Sequence, residues 1–439
     1  MHESLESDHG RLLDSIESFL QQMVTDVVPI ESPGRGRPRI LPALCLWAGL
    51  LVCVLRGQTS QLALWRLLTQ TGLWLYPRYE VSDQAVYKRL ATGGLEPLQR
   101  LFAAITTLLT ERLESFALRT LAPFARDVVA LDETTLDQVV RSLPSLRQVP
   151  EGDVRLLPGK LAALFDVRRQ LWRRLVFVPD ARQNEKVLAR ELVQTLSPGA
   201  LILCDLGYFG YAWFDWLTDR GYYYISRFRQ KTSFVCQHVF YQQGDLFDGI
   251  VFLGAYRADR AAHAVRLVQF RVGQHVYRYI TNVLDPTVLP IAQLAATYAR
   301  RWDIELAIKL IKRHLNLHLL WSAKPVVVQQ QVWAVLIISQ VLQALRMEIA
   351  GRADADPYEV SMQLMIAYLP QLAREGRDPI TTFLEIGRTA RFIRPSTHTA
   401  IEAPDIPPEA MAPVPESLTL WRQPRYAQRR CHRRDNDAN

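Results

Sequence analysis

Apolar side chains at Ile291, Leu294, Ala295, Tyr298, Trp302, Leu306, Ile308 and Ile311 recur every three to four positions, the period of a helix with one buried stripe. On a continuous helix over this stretch, Arg301, Glu305 and Lys309 are neighbours four apart, with Tyr298 and Lys312 seven residues to either side of Glu305. One carboxylate is thereby set among cations beside an apolar face. A ladder of surface ion pairs uses the same residue types, although a solvated face more often intersperses several acids among the bases. Helical periodicity also marks 11–30 and most of 41–118, the latter as Leu41–Leu55, Thr59–Thr69, Ser82–Ala91 and Pro97–Phe116. Ser82 and Asp83 stand where an N-cap belongs. Leu41–Leu55 is uncharged, but its fifteen residues fall short of a bilayer span, which takes about twenty. It reads as a buried helix, and no membrane partner is expected.

The middle of the chain changes period. Val128–Leu131 is a short β-prone run that ends on Asp132, Glu133 and Thr134. Leu161–Val167 and Leu171–Val178, separated by Arg168, Arg169 and Gln170, predict a hairpin. A helix over 184–196 follows, then a buried-strand run Leu201–Cys204 that ends on Asp205, a helix Trp213–Arg220 and a strand Tyr222–Arg227. The order strand, strand, strand, helix, strand, helix, strand is that of the ribonuclease-H-like fold. Four more β-prone runs, Ser233–Tyr241, Gly249–Tyr256, Ala264–Val272 and Val276–Val283, lie before the helical stretch at 291 and read as a β-rich insertion. Eight basic residues mark it, Arg227, Arg229, Lys231, Arg257, Arg260, Arg266, Arg271 and Arg278, while most of its aromatics are expected in the sheet core. Val326–Leu345 is a second long apolar helix interrupted by glutamines, and Tyr358–Tyr368 and Ile380–Thr389 continue in helix.

Composition narrows the class. A chain of 439 residues with 49% hydrophobic and 22% charged residues is globular and long enough for two to four units. A formal charge of +8 with a pI near 9.3 favours a polyanionic partner, nucleic acid first. Five cysteines without two-residue spacing indicate neither a disulfide framework nor a zinc ribbon, and fit a reducing cytoplasm. His314 and His318 stand four apart but lack the glutamate of a zinc-hydrolase helix. There is no phosphate-cradling Gly-rich loop ending in Lys, so no nucleotide cofactor is expected. Arg35, Arg37 and Arg39 fall in an Arg-Gly-Arg-Pro-Arg run, either a minor-groove hook or a basic linker. Lys88 and Arg89, with Gln84 and Tyr87, either enter a DNA groove from a helix-turn-helix-like unit or form a plain polar face. From Pro395 the chain turns Pro-rich and ends in six arginines between Arg422 and Arg434, the pattern of a flexible tail that touches phosphates or merely aids solubility.

The spacing Tyr298, two residues, Arg301, three residues, Glu305, six residues, Lys312 resembles the signature of the DDE transposases of bacterial insertion sequences, in the IS-four group. Asp132 with Thr134 resembles that family's first motif, and Asp205 with Gly207, Tyr208 and Phe209 its second. The resemblance implies an α/β chain with a ribonuclease-H-like mixed sheet carrying a β-rich insertion. It also implies an all-helical N-terminal domain and C-terminal helices. The expected divisions are 1–120, a helical DNA-binding region, and 121–227, the first part of the core. The insertion at 228–290, the last part of the core at 291–350, C-terminal helices at 351–394 and a flexible basic tail at 395–439 follow. The implied site has Asp132, Asp205 and Glu305 as catalytic residues and ligands to two Mg²⁺ ions, with Mn²⁺ as a substitute. Tyr298, Arg301 and Lys312 are cast as contacts to DNA phosphates. The implied reaction is strand cleavage at the ends of the element and transfer of the 3′-hydroxyls to target DNA, by a homodimer on double-stranded DNA in the bacterial cytoplasm, nucleoid-associated. A ribonuclease-H-like nuclease without strand transfer, or an inactive DNA-binding relic, would share the acids.

Overall fold

The computed structural model describes residues 16–29, 39–73, 76–136, 159–181, 183, 186–256, 259–317, 319–322, 324–375, 377–396 and 401–426. Arg35, Arg37 and His318 lie outside the described residues. Among the described residues nine strands form one mixed sheet: β1 (Val128–Thr135), β2 (Lys160–Asp166), β3 (Leu171–Val178), β4 (Leu201–Cys204), β5 (Tyr223–Arg227), β6 (Phe234–Gln243), β7 (Leu246–Leu253), β8 (Ala264–Val272) and β9 (His275–Thr281). Their order is β3-β2-β1-β4-β5-β9-β8-β7-β6. The β2/β3 hairpin is antiparallel, while β1 with β4 and β4 with β5 are parallel. That arrangement of the first five strands is ribonuclease-H-like, with an antiparallel meander of four strands added beyond β5. The central strands are short apolar runs because both of their faces are covered; all four residues of β4 are buried.

The chain divides into two compact units. The first comprises Met1–Leu118, Asp132–Leu192 and Trp302–Thr399. Its helices are α1 (Ile16–Val27), α2 (Ala43–Leu55), α3 (Gln61–Arg66), α4 (Asp83–Thr92) and α5 (Glu96–Arg112), followed by α6 (Lys186–Val193) at its edge. The Ser82 hydroxyl accepts from Ala85 N–H at 3.2 Å, the N-cap expected from sequence. Beyond lie α9 (Trp302–Lys309), α10 (Pro325–Arg352), α11 (Met362–Glu375) and α12 (Pro379–Ile386). The helical N-terminal region is grouped in this unit with the later helices. Helix α10 packs on α2 and α5 and needs cover on every side, which those helices supply. Among the described residues α10 alone is long and apolar enough to cross a membrane, yet 78% of its most apolar window is buried inside the protein. Its glutamines are spent on neighbours: Gln330 donates to the Leu90 and Gly94 carbonyls, and Gln340 exchanges hydrogen bonds with both backbone groups of Trp172 in β3.

The second unit comprises Arg119–Leu131, Val193–Arg301 and Ala400–Asn439. It holds the first half of β1, β4 to β9, α7 (Tyr211–Asp219) and α8 (Ile291–Ala299). The stretch 401–426, expected to be a flexible tail, is instead laid along the insertion. Trp421 bridges His263, Arg425 bridges Arg260, and the Arg422 guanidinium donates to the carbonyls of Leu253, Gly254 and Ala261 while covering the Phe252 ring at 4.6 Å. The guanidinium's several donors let one side chain bind carbonyls at the end of β7 and in the loop that follows it. The rest of the basic terminus, from 427, lies outside the described residues.

Candidate active site

In the parallel pair β1/β4, Leu131 stands opposite Cys204, and each is followed directly by an aspartate. Pairing with β4 stops there, although β1 itself continues through Asp132 to Thr135 rather than ending on the acid. Both carboxylates are half-buried. Asp132 accepts a hydrogen bond from Glu133 N–H at 2.8 Å, which fixes its rotamer. Glu133 points to the opposite face of the strand, where its carboxylate pairs with the Lys160 ammonium, both side chains 4% exposed. Lys160 also donates to the Gln183 carbonyl. Asp205 opens a single 3₁₀ turn, Leu206–Tyr208, and its carbonyl accepts from Tyr208 N–H at 3.1 Å. Gly207 in that turn is exposed and is not in the left-handed region.

Tyr298 sits beneath Asp205. Its hydroxyl donates to the Cys204 carbonyl at 3.1 Å, and the ring is 3% exposed against Tyr279. Burial raises its pKa, against the opposing pull of Arg301 and Arg227. The family resemblance casts Tyr298 as a phosphate contact; here its hydroxyl donates to the backbone one residue before the acid. Tyr298→Phe is expected to cost about 1 kcal/mol of stability and to slow strand cleavage while leaving the salt dependence of DNA binding unchanged. A shallower salt slope in that variant would return the tyrosine to the phosphates.

The expected single helix is broken. Helix α8 ends at Ala299, and Arg300 and Arg301 donate to the carbonyls three residues back, Thr297 and Tyr298, at 3.2 and 3.0 Å. Such a tightened turn shifts the helical phase. Trp302, expected in the buried stripe, is 53% exposed, whereas Arg301, expected on a polar face, is 6% exposed. Arg301 precedes α9 and belongs to the second unit with Asp205, Tyr298 and Arg227, whereas Glu305 and Lys309 lie on α9. In the first turn of α9, Asp303 and Glu305 are carboxylates at the positive end of the helix dipole. Asp303 is fully buried and Glu305 half-buried. Lys312 lies in a π-turn, Leu310–His314, that continues α9. Burial, then the charges of Lys309 and Arg313, lower the His314 pKa. In α4, Lys88 is exposed and Arg89 half-buried; Arg89 and Arg39 line one cavity with Trp47 and Arg100. Among the described residues no three His, Cys, Asp or Glu side chains are gathered closely enough to hold one metal ion.

The transposase DDE domain family matches residues 126–341, from just before β1 into α10. This segment belongs to the DDE transposase family. The DDE domain thus takes in all nine strands, α8 and α9. Curated relatives include the transposases of insertion sequence elements IS231C, from Bacillus thuringiensis subsp. berliner, and IS231D, from subsp. finitimus. They are 23% identical over 212 residues and 25% over 216, in each case 48% of this chain and 42% of the relative. A putative transposase, y4zB, from Sinorhizobium fredii is 24% identical over 39% of this chain and 49% of its own length. The chain spans less than half the length of each of these relatives. A cryo-EM structure of the piggyBac transposase synaptic complex with hairpin DNA aligns at a TM-score of 0.38 and 10% identity, over 87% of this chain and 78% of that one.

Around the DDE domain's acids, the sequence patterns missed Lys160, Glu133, Gln170 and Asp303. Only Asp303 left a trace: Ala307, four residues on, marks its side of α9 as closely packed.

Proposed function

We propose that this chain cuts DNA at the ends of an insertion sequence and joins the freed 3′-hydroxyls to target DNA, as a member of the IS-four group. The observation that carries the reading is the register of β1 and β4, which sends two aspartates out of adjacent parallel strands within a matched DDE domain. Asp132, Asp205 and Glu305 are the proposed ligands of two divalent ions. Three carboxylates make an all-oxygen donor set, which suits Mg²⁺ with Mn²⁺ as a substitute. When bound, such a pair supplies an activated attacking oxygen and a stabilised leaving oxygen. The protein does the rest. Tyr298 fixes the backbone that carries Asp205, and Glu133 with Lys160 fixes the strand that carries Asp132. Arg227 and Arg229, both exposed near the end of β5, together with Arg301 and Lys312, hold the phosphates beside the scissile bond and offset the crowding of negative charge. Arg35, Arg37, Arg39, Lys88 and Arg89 are proposed contacts to the element's ends. Two copies of the chain act together on DNA in the cytoplasm, without a nucleotide cofactor.

A joining assay tests the reaction class. Incubated with Mg²⁺, the terminal repeats flanking its gene and a supercoiled target, the protein is expected to yield covalently joined strands. Nicks without joined product would make it a ribonuclease-H-like nuclease instead.

A further inference from the structure

Gln170 lies at the turn of the β2/β3 hairpin, fully buried, with φ of 58°. A left-handed glutamine is rare and costs about 1 kcal/mol or more, so it persists only where its surroundings over-determine it. Here they do. A carboxamide has two donors and two acceptor sites, and all four are used. Its Nε2 donates to the Val167 carbonyl at 2.8 Å and to Asp303 Oδ2 at 2.6 Å, and its Oε1 accepts from Arg346 Nη2 at 3.1 Å and Tyr358 Oη at 2.9 Å. The Arg346 guanidinium also lies over the Tyr358 ring at 4.6 Å. The turn is itself held, because Asp166 accepts from the backbone N–H of Arg168 and Arg169 and from the Arg169 guanidinium. One amide thus ties the hairpin, α9, α10 and the turn at Tyr358 inside a single unit.

Helix α9 has only eight residues and its leading tryptophan is exposed; Ile304 and Ala307 bury its inner face, and Asp303 is the polar group on that face that a specific hydrogen bond can hold. Asp303 and Glu305 are two residues apart, roughly 200° around the helix. Anchoring Asp303 on the inner face therefore fixes where Glu305 points on the other. We infer that the Gln170–Asp303 hydrogen bond is a positioning latch: it sets the rotation of α9 and with it the carboxylate of Glu305 as an ion ligand. The inference rests on Glu305 belonging to the proposed ion site.

The test measures Mn²⁺ binding to the full chain from the loss of the free-ion paramagnetic signal, with thermal melting and DNA nicking alongside. Asp303→Leu and Gln170→Met are expected to weaken Mn²⁺ binding by about ten- to hundredfold. Asp303→Asn keeps an oxygen acceptor for Gln170 and is expected to bind Mn²⁺ nearly as the native chain does. Wild-type affinity in Asp303→Leu, or equal losses in the Leu and Asn variants, overturns the latch. If the two core variants do not melt cooperatively, Tyr358→Phe decides, since it removes only one donor to Gln170: weakened Mn²⁺ binding at unchanged melting supports the latch, and unchanged affinity overturns it. Glu305→Gln separates the two levels. Undiminished Mn²⁺ binding and nicking in that variant overturns the ion site itself, whereas loss in Glu305→Gln beside native behaviour in Asp303→Leu overturns the latch alone.

Discussion

Asp132→Asn, Asp205→Asn and Glu305→Gln are each expected to lose Mg²⁺-dependent nicking by about a thousandfold or more, which corresponds to roughly 4 kcal/mol of transition-state stabilisation. The amides keep the size of the acids and can still accept a hydrogen bond, so Asn at 132 retains the bond from Glu133 N–H. What they lose is the charge that holds a divalent ion. Binding to end DNA, read by gel shift, should survive in all three, because the proposed phosphate contacts are arginines and lysines elsewhere. Near-native cleavage by any one variant removes that residue from the site. The three should also fail together rather than additively, since they act as one unit.

The second large effect is on stability. Arg266→Met should destabilise the chain by about 3–5 kcal/mol, as breaking one side of a buried ion pair typically does. Arg266 and Asp248 are both fully buried, joined by two hydrogen bonds of 2.7 and 2.6 Å, and the third guanidinium nitrogen donates to the Leu289 carbonyl at 2.6 Å. Removing the arginine strands a carboxylate between β7 and β8 and leaves that carbonyl without its donor. It also loosens the approach to α8, which starts at Ile291. The double variant Arg266→Met/Asp248→Leu should recover most of the loss, because apolar replacement of a whole buried pair is often neutral or stabilising. Urea denaturation followed by tryptophan fluorescence measures both. A single variant as stable as the native chain would mean that the pair is wetter than its burial indicates.

Arg266 also shows where sequence reading stopped. It is one of the eight basic residues that give the insertion its basic character, and nothing local in the sequence distinguishes a solvated arginine on a strand from one paired across it. Asp248 is 18 positions away in sequence, and only the register of β7 with β8 brings them side by side. Arg271 and Arg278 are similarly engaged, with Asp245 and Gln269. Strands were legible because apolar runs between turn residues survive in the sequence: Leu171–Val178 and Ala264–Val272 agree with the observed bounds. The Ser82 cap was legible for the same local reason. The break after Ala299 was not, since neither glycine nor proline marks it and a helix that tightens by one hydrogen-bond step keeps the same residue composition. Its consequence, an inward Arg301 and an outward Trp302, followed. The acids were legible as residues at the ends of strand runs, whereas what holds them in place was not. Tyr298 reached Cys204 and Gln170 reached Asp303 across 94 and 133 positions.

The central claim is that Asp132, Asp205 and Glu305 share a pair of ions. Crystals of the protein grown with end DNA and Mn²⁺ would locate those ions directly by anomalous scattering. Two peaks about 3.5–4 Å apart, each in ligand range of carboxylate oxygens from these three side chains, are the predicted result. Peaks on other residues, or none while the DNA is bound and uncut, would contradict it.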